Sequence, residues 1–199
     1  MLIRLAEGEL TGDAIHNHLG NSPRATSGER HSLQQYADSD YSILNDMHRG
    51  LAPGSDYHRS LSDDLDYAIH KQPIVGKTMQ LHRGVNEASK LFGEPGSKVG
   101  RTFSELGFMS TSSEPHTSEK FQEDPTDIAH LILHTHPEAK ALSVKNTLGH
   151  DLLKEDEVLL PRDSTWKVHS DNMTPNGREI HLHQKQPFHF GDEDFEGWD

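Results

Sequence analysis

The chain has 199 residues, of which 32% are hydrophobic and 26% charged, a balance typical of one folded domain that is rich in loops. Its formal net charge of −13 argues against general nucleic-acid binding and against docking to an anionic membrane, because both need a basic surface. The chain has no cysteine, which excludes disulfides, thiolate catalysis and cysteine-based zinc sites.

Residues 1–31 are rich in Gly, Ser, Asn and His and have weak periodicity, which predicts an irregular or partly ordered N-terminal arm. The N-terminus lacks a basic start followed by a long apolar run, and no apolar run approaches the ~20 residues of a membrane span. We therefore expect a soluble protein without a signal peptide, in the cytoplasm of a producing or host cell, with secretion by another route left open.

Helical periodicity begins at Ser32, where apolar residues recur at spacings of three to five. Residues 38–40, Asp-Ser-Asp, are expected to break this region and cap a second helix, which residues 52–54, Ala-Pro-Gly, end. A third helix is predicted from the apolar repeat every four residues between 57 and 69, and the proline of Gln72-Pro73 stops it.

After residue 77 the pattern changes to strands, with short helices expected at 86–92 and 118–122 and a loop at 145–156. Helices followed by strands predict an α+β fold, in a domain spanning residues 32–190. Five acids in residues 191–199 predict a disordered acidic tail. The predicted strands are 78–85, 107–111, 128–135, 141–144, 157–160, 165–170 and 179–184.

Three short motifs contain residues suited to catalysis. An arginine precedes glycine in an apolar strand (Arg83, Gly84), hydroxyl residues end another strand (110–113), and two glutamates stand two apart before a third (155–157). Each alone has an ordinary explanation: a packed arginine stem, a turn, or a solvated acidic cluster. Their order and spacing together favour a functional site.

Taken together, Arg83, Ser110-Thr111-Ser112 and Glu155-x-Glu157 resemble the R-S-E class of mono-ADP-ribosyltransferases. This class includes the catalytic domains of binary actin-modifying toxins and arginine-specific vertebrate and phage enzymes. The resemblance covers residues 32–184 and implies an ADP-ribosyltransferase-like fold, in which two short antiparallel sheets form an NAD cleft behind N-terminal helices. It fits a bacteriophage or bacterial effector as well as a toxin domain.

The resemblance also implies roles for the motif residues. NAD cleavage passes through an oxocarbenium-like state, so the Glu157 carboxylate would stabilise the positive charge that develops on the ribose. Ser110 would hold Glu157 in its productive rotamer, and the planar Arg83 guanidinium would clamp phosphate and ribose. The backbone of Gly84 would pair with the nicotinamide amide. The full implied NAD-binding set is Tyr36, Tyr41, Asn45, Arg83, Gly84, Ser110, Thr111, Ser112 and Phe121.

Glu155 indicates the acceptor, because in this class a glutamate at the first motif position accompanies arginine targets. A carboxylate can grip a guanidinium in bidentate fashion. We therefore expect transfer of ADP-ribose from NAD to arginine of a target protein by a monomer that needs no metal. An NAD glycohydrolase and a non-catalytic NAD- or protein-binding module of the same fold are the alternatives.

The 16 histidines suggest one further alternative, a metal-binding β-domain, because His134 and His136, and His181 and His183, alternate on predicted strands. No compact set of carboxylate partners accompanies them, so we expect exposed strand histidines without metal. Strand alternation also turns His82 away from the face of Arg83.

Overall fold

The computed structural model describes residues 8–20, 25–115, 127–149 and 156–187. Four helices and a π-helical segment precede the first strand of the described chain. They are α1 (Asp13–Leu19), α2 (Ser27–Gln35), the π-helical segment (Tyr36–Asp40), α3 (Tyr41–His48) and α4 (Asp56–His70). The predicted helices up to residue 70 are therefore confirmed, and the predicted break at 38–40 is a widened helical turn rather than a gap.

Residues 1–31 are more regular than predicted in the part that the structure describes, because α1 and the start of α2 lie there. A capping box begins α2: Thr26 Oγ1 accepts from the Glu29 N–H at 3.3 Å, and Glu29 Oε2 accepts from the Thr26 N–H at 2.7 Å. The helix therefore begins five residues before the first apolar repeat at Ser32.

The remaining elements follow the predicted strand pattern closely. They are β1 (Gln80–Asn86), α5 (Ala88–Phe92), β2 (Thr102–Glu105), β3 (Met109–Ser112), β4 (Ile128–His134), β5 (Leu142–Ser143), α6 (Val144–Leu148), β6 (Glu157–Leu160), β7 (Ser164–Thr174) and β8 (Gly177–Gln184). One prediction is wrong here: residues 144–148 form a helix, capped by Ser143 Oγ, rather than a loop. The predicted helix at 118–122 and the tail at 191–199 lie outside the described residues.

The eight strands form one mixed sheet in the order β2-β7-β8-β4-β1-β3-β6-β5. This corrects the expectation of two antiparallel sheets, because β4 and β8 pair in parallel through six residue pairs. The two halves of the sheet nevertheless remain distinct. β1 and β4 share seven residue pairs, whereas β1 meets β3 only at His82 and Ser112 in the described chain.

Two hydrophobic clusters lie on opposite sides of β6. Val158 and Leu160 pack in the first cluster with Trp166 and other strand residues, together with Ile15 of α1. Leu159, on the other side, packs in the second cluster with the helices α2 to α4. Successive strand residues point to opposite faces, so β6 separates the two clusters and Glu157 shares the face of Leu159.

The hairpin of β7 and β8 contains a buried ion pair. Arg178 donates to Asp171 through Nε and Nη2, each bond 2.8 Å long, and the backbone N–H of Gly96 donates to the same carboxylate at 2.9 Å. These contacts join the 93–100 loop to the sheet.

Within the described ranges, no helix combines the length and apolar character needed to cross a membrane.

Candidate active site

Arg83 lies in the middle of β1, half-buried, with its neighbours Met79 and Leu81 in the core. Its Nη1 donates to the backbone oxygen of Ser110 at 3.3 Å. This hydrogen bond crosses the junction between β1 and β3, so the guanidinium is held against the strand that carries the Ser-Thr-Ser motif. Gly84 follows directly and is also half-buried.

The ladder between β3 and β6 brings the serine and glutamate motifs together. Ser110 lies opposite Leu159, and Ser112 lies opposite Glu157. Directly opposed residues and residues two apart share a face of an antiparallel pair, so Ser110, Ser112 and Glu157 face the same side. Ser110 and Glu157 are both half-buried, which leaves part of each side chain accessible.

The Tyr36 hydroxyl lies at the centre of this group. It donates to the Phe108 carbonyl at 3.4 Å, lies 3.1 Å from Ser110 Oγ and accepts from Asn45 Nδ2 at 3.3 Å. Both Tyr36 and Asn45 are buried, at 1% and 4% exposed. The two residues therefore support the Ser110 hydroxyl from behind and present almost no surface to a ligand.

The electrostatic environment of Tyr36 indicates that the three motifs converge. Burial raises the pKa of the Tyr36 hydroxyl, and the nearby Glu157 carboxylate acts in the same direction. The hydrogen bonds from Ser110 and Asn45, and the positive charge of Arg83, act against it. One buried hydroxyl is therefore within electrostatic range of both Arg83 and Glu157.

The other two hydroxyls of the motif have structural partners. Thr111 Oγ1 is buried and donates to the Val158 carbonyl at 2.6 Å, across the ladder to β6. Ser112 Oγ accepts from the Glu114 N–H at 3.0 Å and closes the turn after β3. The first of these bonds joins the two strands that carry Ser110 and Glu157, and the second is local to the turn.

The remaining predicted site residues are less closely associated with this group. Tyr41 begins α3 and is 55% exposed, whereas Asn45, one turn later, is buried beside Tyr36. Phe121 and Glu155 lie outside the described residues, so their predicted roles stay predictions.

The histidines form a group of their own on the sheet. His82 Nδ1 lies 3.1 Å from His130 Nε2, and His134 Nε2 lies 3.2 Å from His181 Nδ1. The described residues contain no group of three or more histidines and carboxylates placed to hold a metal ion.

Sequence reasoning missed a second polar network beneath the site. His16 of α1 contacts Ser113 and Ser143, and Lys145 of α6 contacts Asp156, the residue between the two motif glutamates. The sequence gives no local signal for these contacts, because His16 is 97 and 127 residues from its two serine partners.

Comparison with known proteins identifies the fold. The C3 exoenzyme of Clostridium limosum is 18% identical, with 89% of this chain and 97% of that chain covered and a TM-score of 0.68. C3stau2 from S. aureus, solved with NAD, is 18% identical over 90% of this chain and 98% of that chain, with a TM-score of 0.70. The Vis toxin from Vibrio splendidus is 19% identical over 81% and 75%, with a TM-score of 0.62.

No curated protein sequence matches the chain significantly. The sequence profile of the ADP-ribosyltransferase exoenzyme family, by contrast, matches residues 8–186. That span includes every described strand and the helices α1 to α6. The resemblance to the R-S-E mono-ADP-ribosyltransferases is thereby confirmed, and the chain belongs to the ADP-ribosyltransferase exoenzyme family.

Proposed function

We propose that the protein transfers ADP-ribose from NAD to an arginine side chain of a target protein and releases nicotinamide. The observation that carries this proposal is the convergence of Arg83, Ser110 and Glu157, from three strands, around the buried Tyr36 hydroxyl. Ser110 contacts this hydroxyl directly, Arg83 donates to the Ser110 backbone oxygen, and the charges of Arg83 and Glu157 both act on the hydroxyl.

The reaction breaks the bond between the nicotinamide nitrogen and the anomeric carbon of the ribose. The bonding electrons leave with nicotinamide, a guanidinium nitrogen of the acceptor forms the new bond, and that nitrogen loses a proton. Positive charge develops on the ribose before the new bond is complete, and a fixed carboxylate stabilises it most at that point. Glu157 supplies that carboxylate through a hydrogen bond to a ribose hydroxyl.

Ser110 is a positioning residue for Glu157, since both lie on the same face of the β3–β6 ladder. Tyr36 and Asn45 hold Ser110 in turn. Their burial leads us to assign them this supporting role in place of the direct NAD contact implied by the family pattern. A rigid support of this kind keeps the catalytic group in its productive geometry without a cost at the moment of reaction.

Arg83 binds the phosphates of NAD, and the Gly84 backbone pairs with the nicotinamide amide. A guanidinium suits this task because its planar donors match phosphate oxygens in pairs. With a net charge of −13 the chain has no general positive field, so binding of a dinucleotide depends on such local donors. Two structural neighbours are described as complexes with NAD and with carba-NAD, which supports NAD as the co-substrate.

Arginine is the proposed acceptor because of Glu155, whose carboxylate would bind the guanidinium two residues before Glu157. The Vis toxin, a structural neighbour, is described in complex with agmatine, a small guanidinium compound. An acidic chain also suits a partner with a basic, arginine-bearing surface.

The test uses NAD labelled in its adenylate, incubated with the protein and either a cell lysate or an arginine-containing peptide. We expect label to move to protein and to peptide. Glu157→Gln should reduce both NAD hydrolysis and transfer by about 10²–10³-fold, the effect of removing one fixed group that stabilises transition-state charge. Glu155→Gln should spare hydrolysis and lose transfer to arginine.

Two other outcomes identify the alternatives. If NAD is hydrolysed at the same rate with and without lysate and no protein is labelled, the protein is an NAD glycohydrolase. If wild-type protein binds NAD but neither hydrolyses it nor labels any lysate or peptide, it is a binding module, and the proposed enzyme is refuted.

A further inference from the structure

His16 connects α1 to both strands that flank β6. Its side chain is 3% exposed, with Nδ1 2.8 Å from Ser143 Oγ and Nε2 2.9 Å from Ser113 Oγ. A neutral imidazole has one donor and one acceptor nitrogen, and each finds a hydroxyl here. The ring is therefore fixed in orientation and joins the end of β3 to the end of β5.

Both strands joined in this way pair with β6 beside Glu157. Ser143 of β5 lies opposite Val158, and the Ser113 N–H donates to the Asp156 carbonyl at 2.9 Å. Strand alternation places the side chains of Ser113, Ser143 and Val158 on one face and that of Glu157 on the other. His16 thus braces the catalytic strand from the face away from Glu157.

Asp156 stands between the two glutamates of the motif. Its side chain is held on the face away from Glu157, the same face as His16. Its Oδ1 accepts from Lys145 Nζ at 2.6 Å and lies 4.0 Å from His16 Nε2. Lys145 is 12% exposed, and Asp13 in the first turn of α1 lies 3.5 Å from its ammonium. Because Asp156 is held toward α1 and α6, the next residue, Glu157, is directed to the opposite face.

The charges of this network favour a neutral histidine. Burial and, to a lesser extent, the Lys145 ammonium lower the pKa of His16 to about 4, against the opposing effect of Asp156 and Asp13. Lys145 therefore forms the charged contact to Asp156, while His16 acts through hydrogen bonds to neutral hydroxyls. The combination of Ser113, His16 and Asp156 resembles a hydrolase triad, but Ser113 is only 2% exposed, and a buried hydroxyl cannot reach a substrate.

We propose that His16 and Lys145 are positioning residues that set the direction of Glu157 through Asp156 and the flanking strands. This inference rests on the proposed function, in which Glu157 must meet the ribose in a fixed geometry. A misplacement of about 1 Å at a catalytic group can cost 10²-fold in rate. Loss of either residue should therefore lower turnover more than it weakens NAD binding.

The test compares His16→Phe with His18→Phe in the full chain. His18 is a matched control because it lies on the same helix and also makes a long-range bond, its Nε2 donating to the Val75 carbonyl at 2.7 Å. We expect kcat for NAD hydrolysis to fall tenfold or more in the His16 variant, with the dissociation constant for NAD within about twofold. The His18 variant should keep both values near those of wild type.

If His16→Phe fails to fold, a second pair of variants, at Lys145, still tests the proposal. Lys145→Met removes the charged contact to Asp156, whereas Lys145→Arg preserves it. Turnover should fall in the first variant and recover in the second, with unchanged NAD affinity. A residue that only stabilised the fold would lower the fraction of folded protein but leave kcat per folded molecule the same, and that result would overturn the proposal.

Amide hydrogen exchange of residues 156–159 provides a readout that does not depend on turnover. Exchange in this segment should rise at least tenfold over wild type in His16→Phe, beyond any change in global stability, and not in His18→Phe. If wild-type protein proves inactive on NAD, the proposed function fails, but this measurement still shows whether His16 holds the motif. Unchanged exchange overturns the inference whatever the activity.

Discussion

Two buried histidines predict a steep loss of stability in mild acid. His16 and His82 are 3% and 5% exposed, and burial lowers the pKa of each to about 4. The positive charges that His130, His134 and His181 would carry when protonated contribute to the lowered pKa of His82, after burial. Its other neighbour, Gln80, is neutral, with Nε2 3.4 Å from His82 Nε2. No carboxylate contributes to the shift at His82.

The magnitude follows from proton linkage. A histidine in the unfolded chain has a pKa near 6.5, so between pH 6.5 and 4 the unfolded state binds more protons and stability falls as the pH falls. From pH 7 to pH 5 each of these two histidines then costs about 2 kcal/mol. Together they remove about 4 kcal/mol, a large part of the 5–15 kcal/mol that holds a typical domain folded.

The assay is urea unfolding followed by circular dichroism at pH 7 and pH 5. His82→Gln removes one titrating group, so the loss of stability between the two pH values should be smaller by about 2 kcal/mol than in wild type. His31→Gln, at an exposed position on α2, is the control and should leave the loss unchanged. An equal loss in His82→Gln and wild type would refute the reasoning, because it would mean that the imidazole is protonated in the folded state.

Three further predictions concern packing, charge and capping, each measured by urea unfolding at pH 7. Gly107→Ala should cost about 1–3 kcal/mol, because the added Cβ would lie 2.6 Å from the buried Asn45 Oδ1. Arg178→Met should cost about 3–5 kcal/mol, because it leaves the Asp171 carboxylate buried without its charged partner. Thr26→Ala should cost about 1 kcal/mol through loss of the side-chain cap of α2.

Matched controls test the reasons behind these numbers. Gly28→Ala, in the first turn of α2, adds a Cβ that would make only ordinary contacts with Asp64 and Thr26, so it should raise stability slightly. Arg59→Met breaks an exposed pair with Asp56 and should give no measurable change. A cost in either control as large as in its buried counterpart would contradict the explanation from burial and crowding.

Periodicity located most elements because one face of each is buried. The apolar repeat between residues 57 and 69 predicted α4, whose Leu61, Leu65 and Ile69 are in the core. α1 was missed because its sequence, DAIHNHL, has little amphipathic pattern and depends on contacts made by Ile15 and His16 with distant strands. The parallel pairing of β4 with β8 is equally non-local and leaves no trace in either strand's own sequence.

The candidate site also has a part that the sequence predicts and a part that it does not. The order of Arg83, Ser110 and Glu157 was sufficient to suggest their convergence, because the family resemblance relates them across the chain. The supporting role of Tyr36 was not predictable from the sequence. Its hydroxyl contacts Phe108 and Ser110, which are 72 and 74 positions further along the chain, and only folding brings them together. A tyrosine on a helix otherwise reads equally well as core or as ligand contact.

The narrow junction in the sheet has a mechanical consequence for the proposed enzyme. In the described chain β1 and β3 are joined at one residue pair, with Arg83 on one side and Ser110 and Glu157 on the other. A small change of angle at this junction breaks few ladder bonds yet alters the gap between guanidinium and carboxylate directly. If the protein binds NAD as we propose, a dinucleotide held from both sides would bridge the junction. We then expect substrate binding to stiffen the sheet there and to set the distance between Arg83 and Glu157 at the same time.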